Sequence, residues 1–126
     1  MAKPSGPGEL RDRFKFQRRA EGGDGYGNSE GPWQDLAIER WAKKEPTRGG
    51  EAVQAARLTG NALFDVWVRC DPETKSLTTD DRAVERIPGA GGAFVDGAAY
   101  NIRFGPEDMD GVRTWLLLQV ESGVPD

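Results

Sequence analysis

The side chains here that could do chemistry are carboxylates, guanidiniums, ammoniums and one thiol, because the 126 residues contain no histidine. Ser-His-Asp and Cys-His arrangements are therefore excluded, as are most zinc sites, and hydrolysis would rest on carboxylates alone. The densest carboxylate group is Glu107, Asp108 and Asp110. It lacks the ordered ligand spacing of a calcium loop and reads as a solvated hairpin turn. Pro88-Gly89-Ala90-Gly91-Gly92 has the glycines of a phosphate loop. It has neither the Gly-Lys-Ser/Thr ending nor a clear following helix, so it reads as a mobile surface loop. Cys70 ends an apolar strand face and reads as a small buried hydrophobe rather than a nucleophile. No catalytic residue, metal or cofactor is expected, and the chain reads as a non-enzyme.

Binding chemistry has more to work with. Lys43, Lys44 and Arg48 lie close together in sequence. They are either a solvated strand edge or contacts to a nucleic-acid backbone that read no base sequence. Asp24, Gly25, Tyr26, Gly27 and Asn28 form a glycine-rich segment that can rearrange at little steric cost, which makes it a candidate contact loop. Trp33, Trp41 and Trp67 are amphipathic anchors of the kind common at interfaces, with a place in the core as the competing reading. Phe14-Lys15-Phe16 alternates aromatic and cationic side chains, as a small barrel that binds single-stranded nucleic acid would.

The elements that must position these residues are mostly strands. In Arg13 to Arg18 the aromatics alternate with polar residues, so Phe14 and Phe16 face a core. Glu21 to Pro32 is dense in turn formers and reads as a long hairpin loop. Trp33 to Lys43 resumes a strand, with Leu36, Ile38 and Trp41 in register if a bulge falls near Arg40. Gly50 to Leu58 reads as a short helix closed by Gly60, acidic early and basic late. Leu63 to Cys70 is the clearest strand, with Phe64, Val66, Val68 and Cys70 on one face and Trp67 on the other. A turn at Asp71 to Glu73 leads to a weaker strand around Ser76 to Val84, and Arg86 to Ala93 reads as a flexible excursion. Tyr100, Ile102 and Phe104 alternate in a strand ending at Gly105-Pro106, and Leu116, Leu118 and Val120 share a face of the last one. The sum is a mainly β fold: a five- to six-stranded antiparallel barrel or sandwich with one short helix and long loops.

Length allows one domain, read as an arm over 1–9, a β-barrel over 10–122 and a tail over 123–126. The net charge of -4 argues against a strongly basic nucleic-acid binder. The charge is uneven, however. Residues 1–20 carry six cations against Glu9 and Asp12, leaving the rest acidic, a polarity able to orient a subunit in an assembly. Seventeen glycines and eight prolines imply a small core, often completed by partner subunits. A single cysteine allows no intrachain disulfide, and no apolar run is long enough for a signal peptide or a membrane span. Synthesis in the cytosol, with no membrane partner, is expected.

The order of landmarks resembles the head-tail joining (head-closure, or stopper) proteins of tailed phages, which gene transfer agents also use. The matching residues are Gly8-Glu9-Leu10-Arg11, then Phe16-Gln17-Arg18, Asp24-Gly25-Tyr26-Gly27 and Trp33. Trp41-Ala42, Pro46 and Gly49-Gly50-Glu51 follow, then the strand at Leu63 to Cys70. Thr79, Asp81-Arg82, Tyr100-Asn101-Ile102-Arg103 and the leucine-rich strand at Trp115 to Val120 complete the series. The chain departs from the pattern by adding Pro88 to Gly92. The resemblance implies a small barrel whose copies form a ring, dodecameric in the family, between the portal and adaptor rings and the tail-terminator or tail tube protein. Such a ring retains packaged double-stranded DNA at the neck of the virion. Within it, Asp24 to Asn28 are a candidate gate or adaptor contact, and Lys43, Lys44 and Arg48 are candidate contacts to the DNA backbone, with a solvated strand edge as the alternative for the latter. A tail-terminator or adaptor of the same neck, and a small nucleic-acid- or peptide-binding barrel, are the competing readings.

Overall fold

The structure, a computed structural model, describes residues 4, 6–19, 32–47, 50–58, 60–108, 111 and 114–122. Its strands are β1 (Asp12–Arg19), β2 (Trp33–Pro46), β3 (Leu63–Arg69), β4 (Arg82–Pro88), β5 (Phe94–Glu107) and β6 (Trp115–Glu121). All neighbours are antiparallel, and the sheet closes on itself in the order β1-β2-β3-β6-β5-β4. Alternating apolar residues serve a sandwich and a barrel equally, so periodicity alone left that choice open. Closure decides for the barrel and pairs strand edges that a sandwich would expose. Helix α1 (Glu51–Leu58) links β2 to β3, and the four-residue α2 (Pro72–Lys75) follows β3.

The interior is built from the alternating side chains. Phe14 and Phe16 of β1, Val66 and Val68 of β3, Ile102 of β5, and Leu118 and Val120 of β6 are almost wholly buried. Tyr100 meets the rings of Phe14 and Phe64 edge to face, at 6.1 and 5.7 Å. A second apolar cluster lies on the outer face, where Trp67, Trp115 and Leu117 are covered by Leu10. The segment before β1 contributes to this side of the molecule through a 3₁₀ turn at Pro7–Glu9, and Pro4 is fully buried.

Several local expectations need correction. The bulge in β2 falls at Leu36 to Ile38, where Lys15 and Gln17 of β1 face Glu39 and Asp35, and not near Arg40. Ala37 takes φ 59° there, so Trp41 turns outward at 45% exposure instead of re-entering the core. A strand does not begin at Ser76. Asp71 caps α2, accepting from Thr74 N at 2.9 Å while Thr74 Oγ1 accepts from Asp71 N, and β4 starts only at Arg82. The excursion over 86–93 is instead the ordered end of a β4–β5 hairpin, with Ile87 opposite Val95 and Gly89 N donating to Ala93 O. Salt bridges from Asp96 to Lys15, at 2.9 Å, and to Arg86 hold it. β5 accordingly begins at Phe94 rather than Tyr100 and continues through Pro106. A register shift after Ile102 puts Phe104 opposite Gln119 on the outer face, at 38% exposure.

Candidate functional site at the barrel rim

Residues 20–31 connect β1 to β2, and the described chain at both ends of that connection is held by a dense polar clasp. β1 ends in Gln17-Arg18-Arg19, and β4 is entered through Asp81-Arg82. These two runs bind one another side chain to side chain. Arg18 donates Nε and Nη2 to the two oxygens of Asp81, at 2.7 and 2.9 Å. Arg82 Nε donates to Gln17 Oε1 at 2.8 Å, and Gln17 Nε2 passes the chain of bonds to Asp35 of β2 at 2.7 Å. The Asp81 carboxylate is wholly buried and also accepts from Thr78 N at 2.9 Å. Burial of a carboxylate is tolerable only with this degree of pairing.

Trp33, the first residue of β2, completes the clasp. The guanidiniums of Arg19 and Arg82 each lie 4.5 Å from its ring centre, and its indole N–H is buried with no acceptor among the described residues. The hydrogen bonds that it donates to Asp81 hold the Arg18 guanidinium above its ordinary pKa. Gln17, then Lys15, hold the Asp35 carboxyl below its own. The rim thus concentrates fixed positive charge around one aromatic ring.

The other candidate residues are scattered. Lys44 points into the barrel, where its ammonium lies 3.1 Å from Glu85 and 5.1 Å from the Phe64 ring. Burial opposes that charge, but the bonds to Glu85 and the nearby Tyr100 outweigh it and raise the pKa. Lys43 points outward and pairs with Glu9 at 3.2 Å. Arg48 and the segment Asp24, Gly25, Tyr26, Gly27 and Asn28 lie outside the described residues. Of the tryptophans, Trp67 is buried in the outer cluster, Trp41 is exposed beside Phe94 and under the Arg13 guanidinium, and Trp33 is in the clasp. Cys70 is a free thiol packed against the core. Among the described residues no group of three or more His, Cys, Asp or Glu could hold a metal ion, and no helix is long and apolar enough to cross a membrane.

These shifts set the response to pH. Asp35, Asp71 and Asp96 are held below the ordinary carboxyl value of 3.8, so their contribution is present above it and lost as pH falls through the folded values. Lys15 and Lys44 are raised from 10.5 and Tyr100 from 10.0, so theirs is present below those values and lost as pH rises through the folded ones. The melting temperature is expected to be flat from about pH 6 to 9, with a shallow acid limb because Asp35 and Asp96 are half exposed. A thermal melt series with a step between pH 6 and 7 would contradict this, as the chain has no imidazole to titrate there.

The pairs Gln17-Arg18 and Asp81-Arg82 each stood out in the sequence, but not their mutual bonding, because 63 residues separate Arg18 from Asp81. No curated protein matches the chain significantly. A family model described as phage head completion protein matches residues 6–123, a span containing every strand of the barrel and the whole clasp. A closed barrel with its polar clasp, matched over nearly its full length, belongs to the phage head completion protein family and has a structural role in closing a phage head.

Proposed function

We propose that this chain is the head-closure, or stopper, protein of a tailed phage or gene transfer agent. Copies form a ring below the portal and adaptor, retain packaged double-stranded DNA and present a docking surface to the tail. The family match over residues 6–123 carries this reading. The clasp supports a finer assignment. Asp24 to Asn28 serve as the gate or adaptor contact, mounted on strands whose ends are locked by Arg18–Asp81 and by the stacking of Arg19 and Arg82 on Trp33. Lys43 and Arg48 are the proposed contacts to DNA phosphates, with Lys44 committed to Glu85 inside the barrel.

Deletion of Gly22 to Asn28 is the test. The variant should keep the melting temperature of the parent, and labelled copies should still appear at the single neck vertex, but filled particles should leak DNA or fail to join tails. Label spread over the capsid would remove the head-closure reading. Normal infectious particles from the variant would remove the gate.

A further inference from the structure

We infer that the open edge of β5 over Val95 to Ala99 takes up an extended, uncharged segment of a neighbouring neck protein as an added strand. The inference rests on the head-closure reading for the source of that segment and concerns how it is held.

The ladder closes the wall without covering the whole of β5. This strand pairs with β4 from Phe94 to Asn101 and with β6 only from Asn101 to Glu107. From Val95 to Ala99 one edge is therefore laddered and the other is not. No backbone bond beyond the β4 ladder is made over that stretch among the described residues. Alternate N–H and C=O groups along such an edge point outward at the spacing of another strand. Edges left to solvent are ordinarily guarded by lysine, proline, a bulge or a covering segment. A bulge is present, with Gly97 and Ala98 opposite Glu85, and it gives the edge a bend that an added strand must follow. The rest of the guard is missing. Gly97, Ala98 and Ala99 carry nothing larger than a methyl group. Asp96, the one charged residue of the stretch, is drawn across β4 to Lys15, at 2.9 Å, and to Arg86.

The surroundings specify the occupant. Val95 and Ile87 face each other across the hairpin and are 45% and 43% exposed, so an apolar residue added beside Val95 extends their row to a third strand. With Asp96 paired the edge shows no free charge, and an uncharged segment is its complement. A second copy does not supply one. Pairing two β5 edges is a two-fold contact that stops at a dimer and builds no ring. The comparable stretch of β2, before Lys43, is flanked by the segment after β3, whose Asp71 and Glu73 hold Arg40. The added strand therefore comes from a different protein.

Three measurements test this. Amide exchange read by mass spectrometry over Val95 to Ala99 should be at least about tenfold slower in assembled particles than in the purified full chain. Ala98→Lys should keep the melting temperature of the parent and lower the titre of active particles by at least about tenfold, while Ala98→Ser should change neither. Ala98→Cys in a Cys70→Ser background, carrying a benzophenone maleimide, should on illumination of particles cross-link to a peptide of another neck protein. Cross-links to a second copy alone, unprotected amides in particles, or a normal titre from Ala98→Lys would each overturn the inference. Cross-links to a capsid-shell protein away from the neck would keep the added strand and remove the head-closure reading instead.

Discussion

Gly105→Ala is expected to lose about 3 to 5 kcal/mol of stability, a large part of the total for a domain of this size. Gly105 sits in β5 at φ +90°, and a β-carbon built on it would lie 2.3 Å from the carbonyl oxygen of Leu117 and 3.2 Å from the amide of Glu107. Both neighbours are backbone, and Leu117 is part of the β5–β6 ladder, so neither can step aside without breaking the seam. Gly91 is the control. It has φ +75° but nothing within 4 Å of the same construction, so Gly91→Ala should cost only the local strain, about 1 kcal/mol. Urea unfolding of the two variants checks the contrast. Equal midpoints would show that the close approach of β5 to Leu117 is not constraining.

Arg18→Met should be the most damaging change in the clasp, costing about 3 kcal/mol, because it leaves the fully buried carboxylate of Asp81 with the Thr78 amide but no cation. The partner change is milder. Arg18 is 45% exposed and can turn to water, and Asp81→Asn keeps an oxygen for Thr78 N, so about 1 kcal/mol is expected. The order of the two losses carries the claim. Chemical denaturation in which Asp81→Asn is worse than Arg18→Met would mean that the pair is not held as described. Because β1 and β4 are seamed here, amide exchange at the first residues of β4 should quicken in Arg18→Met before the β3–β6 seam does.

How much of this was legible depended on the range of the interaction. Phe14 and Phe16, or Val66 and Val68, declare their face because each neighbour in sequence is polar or turns away, and period-two alternation needs nothing else. The bulge at Leu36 to Ile38 announces nothing: no property of Ala37 asks for φ 59°, and only pairing with β1 imposes it. Asp71-Pro72-Glu73-Thr74 was readable as a turn, but its two reciprocal capping bonds make it a helix and delay β4. The glycines after Pro88 suggested a loose excursion, yet Asp96 reaches Lys15 on another strand and fixes the hairpin. Landmarks of the site were visible in the same partial way. Gln17, Arg18, Trp33, Asp81 and Arg82 were marked as family features, while their convergence on one rim required the fold.

The flanks of β1 have a mechanical consequence. This strand is laddered to β2 on one side and β4 on the other, and its last residues are tied across to Asp81 and Arg82. A pull applied along β1 through residues 20–31 would therefore load two ladders in parallel, with the tension along the strand. Bonds loaded that way must yield together in shear rather than one at a time as in a zipper, so a force applied at this end would be spread around the wall before any one strand could peel.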